Sequence, residues 1–146
     1  MLIAVGSDHA GYHLKEAVKK RLQDQGHQVR DMGAGSTDSV DYPDFAAKVA
    51  RAVAGGEVQR GVLVCGSGIG MSITANRFRG VRAVLAPTVE HAALGRRHND
   101  GNLLCLGERL TALPLALDIL DTFMSEPFEG GRHQRRVQLI DDLAEG

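Results

Sequence analysis

The chain has 146 residues, 43% of them hydrophobic and 24% charged, with a formal net charge of -1. That balance fits one globular domain with a single good core and argues against general attraction to nucleic acid or to anionic membranes. Aromatic content is only 4% with no Trp, which weakens readings built on stacked bases or sugar platforms. No apolar run approaches the ~18 residues of a membrane span. Two cysteines far apart, Cys65 and Cys105, and no basic leader before the first strand point to the cytoplasm rather than to a disulfide framework.

Residues 2–5 read as a buried strand that ends in Gly6-Ser7-Asp8-His9-Ala10-Gly11. The helix after it carries Leu14, Val18 and Leu22 on one face, with Lys15, Lys19 and Lys20 expected largely off that face and Gly26 near its C-cap. A second strand covers 28–32. A glycine-containing loop then leads through Val40-Asp41-Tyr42-Pro43-Asp44 to a helix with Phe45, Val49 and Val53 inward. The apolar run 62–64 predicts a strand buried on both faces. Cys65 ends that strand, and glycines at alternate positions (Gly66, Gly68, Gly70) open a helix over 69–77. A fourth strand spans 81–85, and Thr88 caps a helix over 89–97. His98-Asn99-Asp100-Gly101-Asn102 reads as a loop before the fifth strand, 103–106. Thr111 is expected to cap a helix with Pro114 in its first turn. A connector over 125–131 precedes a final helix over 132–144, with Val137, Ile140 and Ala144 on one stripe.

Strands alternating with helices over short connections predict an α/β, Rossmann-like three-layer sandwich. It has a five-stranded parallel sheet, helices on both faces, a C-terminal helix and one domain over 1–146. Ligands in such folds bind outside the carboxyl ends of the strands. That rule gathers Asp8 and His9, the stretch 65–70, and Glu108 with Arg109; His98 and Asn99 precede a strand and do not fit it. The G-x-G-x-G spacing is not the G-x-G-x-x-G of a dinucleotide site, and no Walker lysine follows.

Several residues allow both a bland and a chemical reading. Cys65 is either an inert core thiol or a nucleophile or base, driven toward thiolate by the positive end of a helix. Asp8 is a helix cap or a ligand of sugar hydroxyls, and His9 is exposed or holds a phosphate or carbonyl. His98 sits in a solvated loop or moves protons between sugar oxygens. Arg132 and Arg136 share a helix face four residues apart. They form a basic turn, or they hold an anion that relieves their conflict with the helix dipole. Arginine supplies 13 of the 17 basic side chains, which suits directional binding of phosphate or carboxylate. Tyr42 packs or contacts sugar. Cys105 is core. His13, His27, His91 and His133 show no metal spacing, and no metal or other cofactor is expected.

Five motifs together carry a resemblance that runs the length of the chain. They are Gly6-Ser7-Asp8-His9-Ala10-Gly11, Val40-Asp41-Tyr42-Pro43, Cys65-Gly66-Ser67-Gly68-Ile69-Gly70, His98-Asn99-Asp100, and Gly130-Gly131-Arg132-His133-Gln134-Arg135-Arg136-Val137. In this order they resemble the ribose-5-phosphate isomerase B family, which also includes galactose-6-phosphate isomerase subunits and allose-6-phosphate isomerising members. The resemblance implies a metal-free aldose–ketose isomerase acting through a cis-enediol, with Cys65 as the base between C1 and C2. Ser67 and the amides around Gly66, Gly68, Ile69 and Gly70 would stabilise the enediolate. His98 with Asp8 would open the furanose ring, and Asn99 and Tyr42 would contact the sugar. His9, Arg109, Arg132 and Arg136 would bind the phosphate. Family members are homodimers or homotetramers with shared sites, so His98 and the C-terminal arginines would act in trans. Ser67 stands where many members have Thr. Met71 stands where a subgroup lacking the cysteine has its glutamate base, and 86–90 bears on substrate range. A hexose 6-phosphate or a free aldose as substrate, and a non-catalytic sugar-phosphate-binding subunit, are the competing readings.

Overall fold

In the computed structural model, which describes residues 1–144, five strands alternate with helices. The strands are β1 (Leu2–Ser7), β2 (Gln28–Asp31), β3 (Arg60–Cys65), β4 (Ala83–Leu85) and β5 (Leu103–Gly107). The helices are α1 (Tyr12–Asp24), α2 (Tyr42–Ala54), α3 (Ile69–Ala75), α4 (Val89–Asn99), α5 (Leu113–Ser125) and α6 (Arg132–Leu143). All strand pairs are parallel, in the order β2-β1-β3-β5-β4. The direction of winding therefore reverses between β1 and β3, and the crevice at such a reversal is where α/β sheets bind ligands. Ser7 and Cys65 end the two strands that flank it.

The strands are apolar on both faces because helices cover both. Ile3, Val5, Val62, Val64, Leu104 and Leu106 pack with Leu14, Val18, Leu22, Ile119, Leu120 and Phe123 of α1 and α5. The alternate set, Ala4, Leu63, Cys65, Leu103 and Cys105, packs with Ala46, Val49 and Ala50 of α2 and with Met71 and Ala75 of α3. A period of two thus sends neighbours along each strand into different cores. It places the Cys65 side chain on the α2–α3 side.

Several expected details change. Lys15 is not on the outer face of α1: only 1% of it is accessible. Its ammonium donates to both Asp31 carboxylate oxygens (2.8 and 2.9 Å) and to the Ala34 carbonyl (2.8 Å). His98 and Asn99 are not in a loop but form the last turn of α4, which ends where Asp100 turns to φ 47°. Thr111 does not cap α5; Ala112 precedes that helix with no side-chain bond. The buried Thr111 instead donates its N–H to the Gly107 carbonyl. On α6, Val137 is buried but Ile140 is half-exposed. β4 starts two residues later than expected because the Arg82 N–H is taken by the Asn102 side chain at 2.8 Å. The Asn76 amide also pairs with the Ala83 N–H and carbonyl (2.8 and 3.1 Å) along this edge strand.

Thr88 does cap α4, accepting the His91 N–H at 3.1 Å. Thr88→Ala should therefore lower stability by about 1 kcal/mol, read as a shift in the urea midpoint at unchanged m-value.

Candidate active site

The crevice between β1 and β3 opens into a cleft of about 540 Å³ lined by Asp8, His9, Tyr42, Cys65, Gly66, Ser67, Ile69, Gly70 and Arg109, with Ala10, Ile73 and Leu110 completing its wall. Three loop connections at the strand ends build it. After β1, the Asp8 N–H donates to the Val64 carbonyl at 3.3 Å, tying this loop to β3. The Asp8 carboxylate, almost fully buried, accepts the Gly11 N–H at 3.0 Å. After β5, the Glu108 N–H donates to the Cys65 carbonyl and the Arg109 N–H to the Gly66 carbonyl (2.9 and 3.0 Å). Glu108 also reaches across to accept the Leu14 N–H in the first turn of α1 at 2.6 Å.

The turn after β3 folds onto the sulfur. The Gly68 N–H donates to Cys65 Sγ at 3.1 Å, and the Ile69 N–H donates to the Ser67 hydroxyl at 3.2 Å. This geometry needs glycine at 68, where φ is 79° and a Cβ would come within 2.8 Å of Leu85 and 3.0 Å of the Leu106 backbone. Glycine at 70 lets the Tyr42 ring lie against the backbone, since a Cβ there would sit 2.5 Å from Cε1. The Arg109 guanidinium rests over Gly66 in the same way. His9 is oriented from the other side: its Nδ1 accepts the Val40 N–H at 3.2 Å, which assigns the ring proton to Nε2. Cys105, one strand over, is fully buried; burial, with Cys65 adding a smaller repulsion, pushes its thiol far above the ordinary range. It is inert core, as its surroundings in the sequence suggest.

The structure does not bring His98, Asn99, Arg132 or Arg136 into this cleft. α4 runs back from the carboxyl end of the sheet, so its last turn lies at the opposite pole. There Asn102, just past α4, accepts the Gly61 N–H at the start of β3. Cys65 is four residues further along that strand, roughly 13 Å away. At this second pole the His98 ring stacks on His133 of α6, with centroids 4.4 Å apart and an interplanar angle of 14°. Both imidazoles approach Glu129 Oε1, at 3.4 and 3.7 Å. Burial, then His98 and Arg132, lower the proton affinity of His133, so it carries less charge near neutral pH than a free histidine. Arg132 and Arg136 are exposed beside it. Local sequence motifs give no signal for the His98–Glu129–His133 convergence, nor for Ile73 and Leu110 at the cleft.

The residues thus form two separate groups: a thiol, a carboxylate, an imidazole and a guanidinium in the cleft, and a cationic face at the other pole. The chain matches the Ribose/Galactose Isomerase family over residues 3–140. It is 48% identical to ribose-5-phosphate isomerase B of Escherichia coli (strain K12) over 138 residues, 94% of this chain and 93% of that protein. Its fold superposes on ribose-5-phosphate isomerase B of Clostridium thermocellum with a TM-score of 0.96 and 48% identity, covering 98% and 97% of the two chains. The Thermotoga maritima enzyme gives a TM-score of 0.94 at 50% identity, covering 97% and 98%. This chain belongs to the ribose/galactose isomerase family, and its activity is that of an aldose–ketose isomerase. Among the described residues no helix is long and apolar enough to cross a membrane.

Proposed function

We propose that this chain interconverts ribose 5-phosphate and ribulose 5-phosphate through a cis-enediol, as a homodimer or homotetramer in the cytoplasm. The observation that carries this reading is the Cys65 sulfur at the crevice, held by the Gly68 N–H and faced by Asp8, His9 and Arg109. Ring opening comes first. A proton leaves the C1 hydroxyl and one arrives at the ring oxygen, with Asp8 and His98 of a second copy as the exchanging pair. The bond from C1 to the ring oxygen breaks and the open-chain aldehyde results. The Cys65 thiolate then takes the C2 proton, and the electron pair moves onto the C1 oxygen. A proton passes from the C2 oxygen to the C1 oxygen, and Cys65 returns its proton to C1, leaving the C2 ketone. A sugar α-proton is far less acidic than a thiol, so stabilisation of the enediolate by the Ser67 hydroxyl and the glycine-loop amides supplies much of the rate.

His9 and Arg109 of one copy, with Arg132 and Arg136 of the other, hold the phosphate. Tyr42 and Asn99 contact the sugar. The separation of the half-sites supports sharing between copies, because one chain cannot close about 13 Å of sheet. Co-expression of Cys65→Ala and His98→Ala chains tests it. Each variant alone should be inactive, whereas mixed dimers carry one intact site, restoring about one quarter of wild-type activity for random pairing. No recovery in isolated mixed dimers would show that each chain completes its own site. Faster turnover of a hexose 6-phosphate than of ribose 5-phosphate would reassign the substrate, and binding without turnover would reassign the chain as a binding subunit.

A further inference from the structure

We infer that His98, Glu129 and His133 form a binding site for a divalent transition ion of the Zn²⁺ type, and that an ion held there withdraws His98 from catalysis. The second clause rests on the proposed role of His98; the first does not.

One ligand atom from each of His98, Glu129 and His133 lies within 4.8 Å of the other two. The carboxylate oxygen stands 3.4 Å from one imidazole nitrogen and 3.7 Å from the other. Charge-assisted N–H···O bonds close to about 2.7–2.9 Å. Ligands sharing a tetrahedral ion through bonds of 2.0–2.2 Å stand about 3.4 Å apart. The His98 separation equals the second value and the His133 separation is 3.7 Å, both longer than a charge-assisted hydrogen bond. Two imidazoles and a carboxylate are also a ligand set suited to Zn²⁺, and they leave a fourth position for solvent or an anion.

The backbone brings the three side chains together. The Glu129 N–H donates to the Arg97 carbonyl at 3.0 Å, next to His98 in sequence. Arg97 in turn grips both Glu126 carboxylate oxygens (2.8 and 3.0 Å), fixing the start of the same segment. Gly130 and Gly131, at φ 66° and 55°, reverse the chain, and the His133 N–H closes the turn onto the Gly130 carbonyl at 3.0 Å. The two rings lie nearly parallel with both Nε2 atoms near the one carboxylate oxygen, so one ring must turn off the stack for both nitrogens to meet a single ion. His133 is the fixed wall, its side chain 12% accessible, while His98 (40%) and Glu129 (50%) are free to swing onto an ion. Arg132 and Arg136 stand close enough to act on His133. They weaken the hold on a bare cation and favour an anion in the fourth position.

The test is calorimetric titration of the intact protein with ZnCl₂ in phosphate-free buffer. One ion per chain is expected, with at least about tenfold weaker binding in Glu129→Gln and in His133→Ala and no change in Cys65→Ala. Glu129 is half exposed, so its amide variant folds as the parent does. Binding that survives both variants, or that disappears with Cys65, overturns the site. In parallel, ribose 5-phosphate turnover should fall with occupancy and return with EDTA. Zn²⁺ bound at the triad with undiminished turnover would overturn the inhibitory consequence and the role of His98, while the site itself would stand.

Discussion

Cys65→Ala should lower kcat for ribose 5-phosphate by about 10³-fold or more with little change in KM, since a positioned general base contributes ~10²–10⁴ and the sulfur is the sole atom removed. The measurement is a coupled or spectroscopic assay of ribulose 5-phosphate formation with EDTA present. Folding should persist. The side chain is small and lies at the edge of the α2–α3 core, and the loss is one N–H···S bond from Gly68. The variant should also keep binding ribose 5-phosphate, because His9, Arg109 and Tyr42 are held by other elements. A Cys65→Ala protein that turns over at the wild-type rate would remove Cys65 from the chemistry. A variant that loses affinity instead of kcat would recast it as a binding group.

Lys15→Met should destabilise the fold by about 3 kcal/mol at neutral pH, the lower end for breaking a buried pair. For a chain of this size that corresponds to a melting temperature lower by roughly 6–12 °C. The lower end applies because Asp31 is about one quarter exposed and keeps Lys19 at 3.1 Å. Burial alone would raise the Asp31 carboxyl. The bonds from Lys15, the Gly33 N–H and Lys19 outweigh it and hold the group below the ordinary carboxylate range. A depressed folded-state value means that Asp31 stabilises the protein above the unfolded carboxylate range, and that this contribution fades as pH falls through the folded value. The gap between wild type and Lys15→Met should accordingly be widest near neutrality and narrow in acid, as urea titrations at several pH values would show. A gap independent of pH would mean that Lys15 acts through packing alone. The same clamp fixes Ala34, where the chain enters the segment that ends at Val40 and His9.

How much of this was legible depends on how local each signal is. The stretch from Val62 to Gly70 declares itself, because an apolar run, a thiol and three spaced glycines are neighbours in sequence. Asp8, His9 and Arg109 follow from topology, since they lie just beyond strand ends. Lys15 was misplaced by its charge. It stands three and seven residues before Val18 and Leu22, so the helical period does turn it inward, but its partner Asp31 lies on another element. His98 stands in a polar motif, yet its pole is not legible there, because that depends on α4 turning back along the sheet. Ile140 follows the period of α6, but only Val137 of that face meets the core. The meeting of His98, Glu129 and His133 depends on two left-handed glycines, whose conformation no periodicity reports.

The Asn76 amide beside β4 closes part of the sheet's open edge. Its oxygen and nitrogen occupy the Ala83 N–H and carbonyl as a neighbouring peptide unit would. An open edge invites another strand, and a side chain that mimics one closes the invitation. On that flank a neighbouring strand would meet Ala83 already occupied, and the three-residue β4 offers little else to pair. Asn76→Ala would free both groups, and its signature would be concentration-dependent aggregation without a change in the cleft.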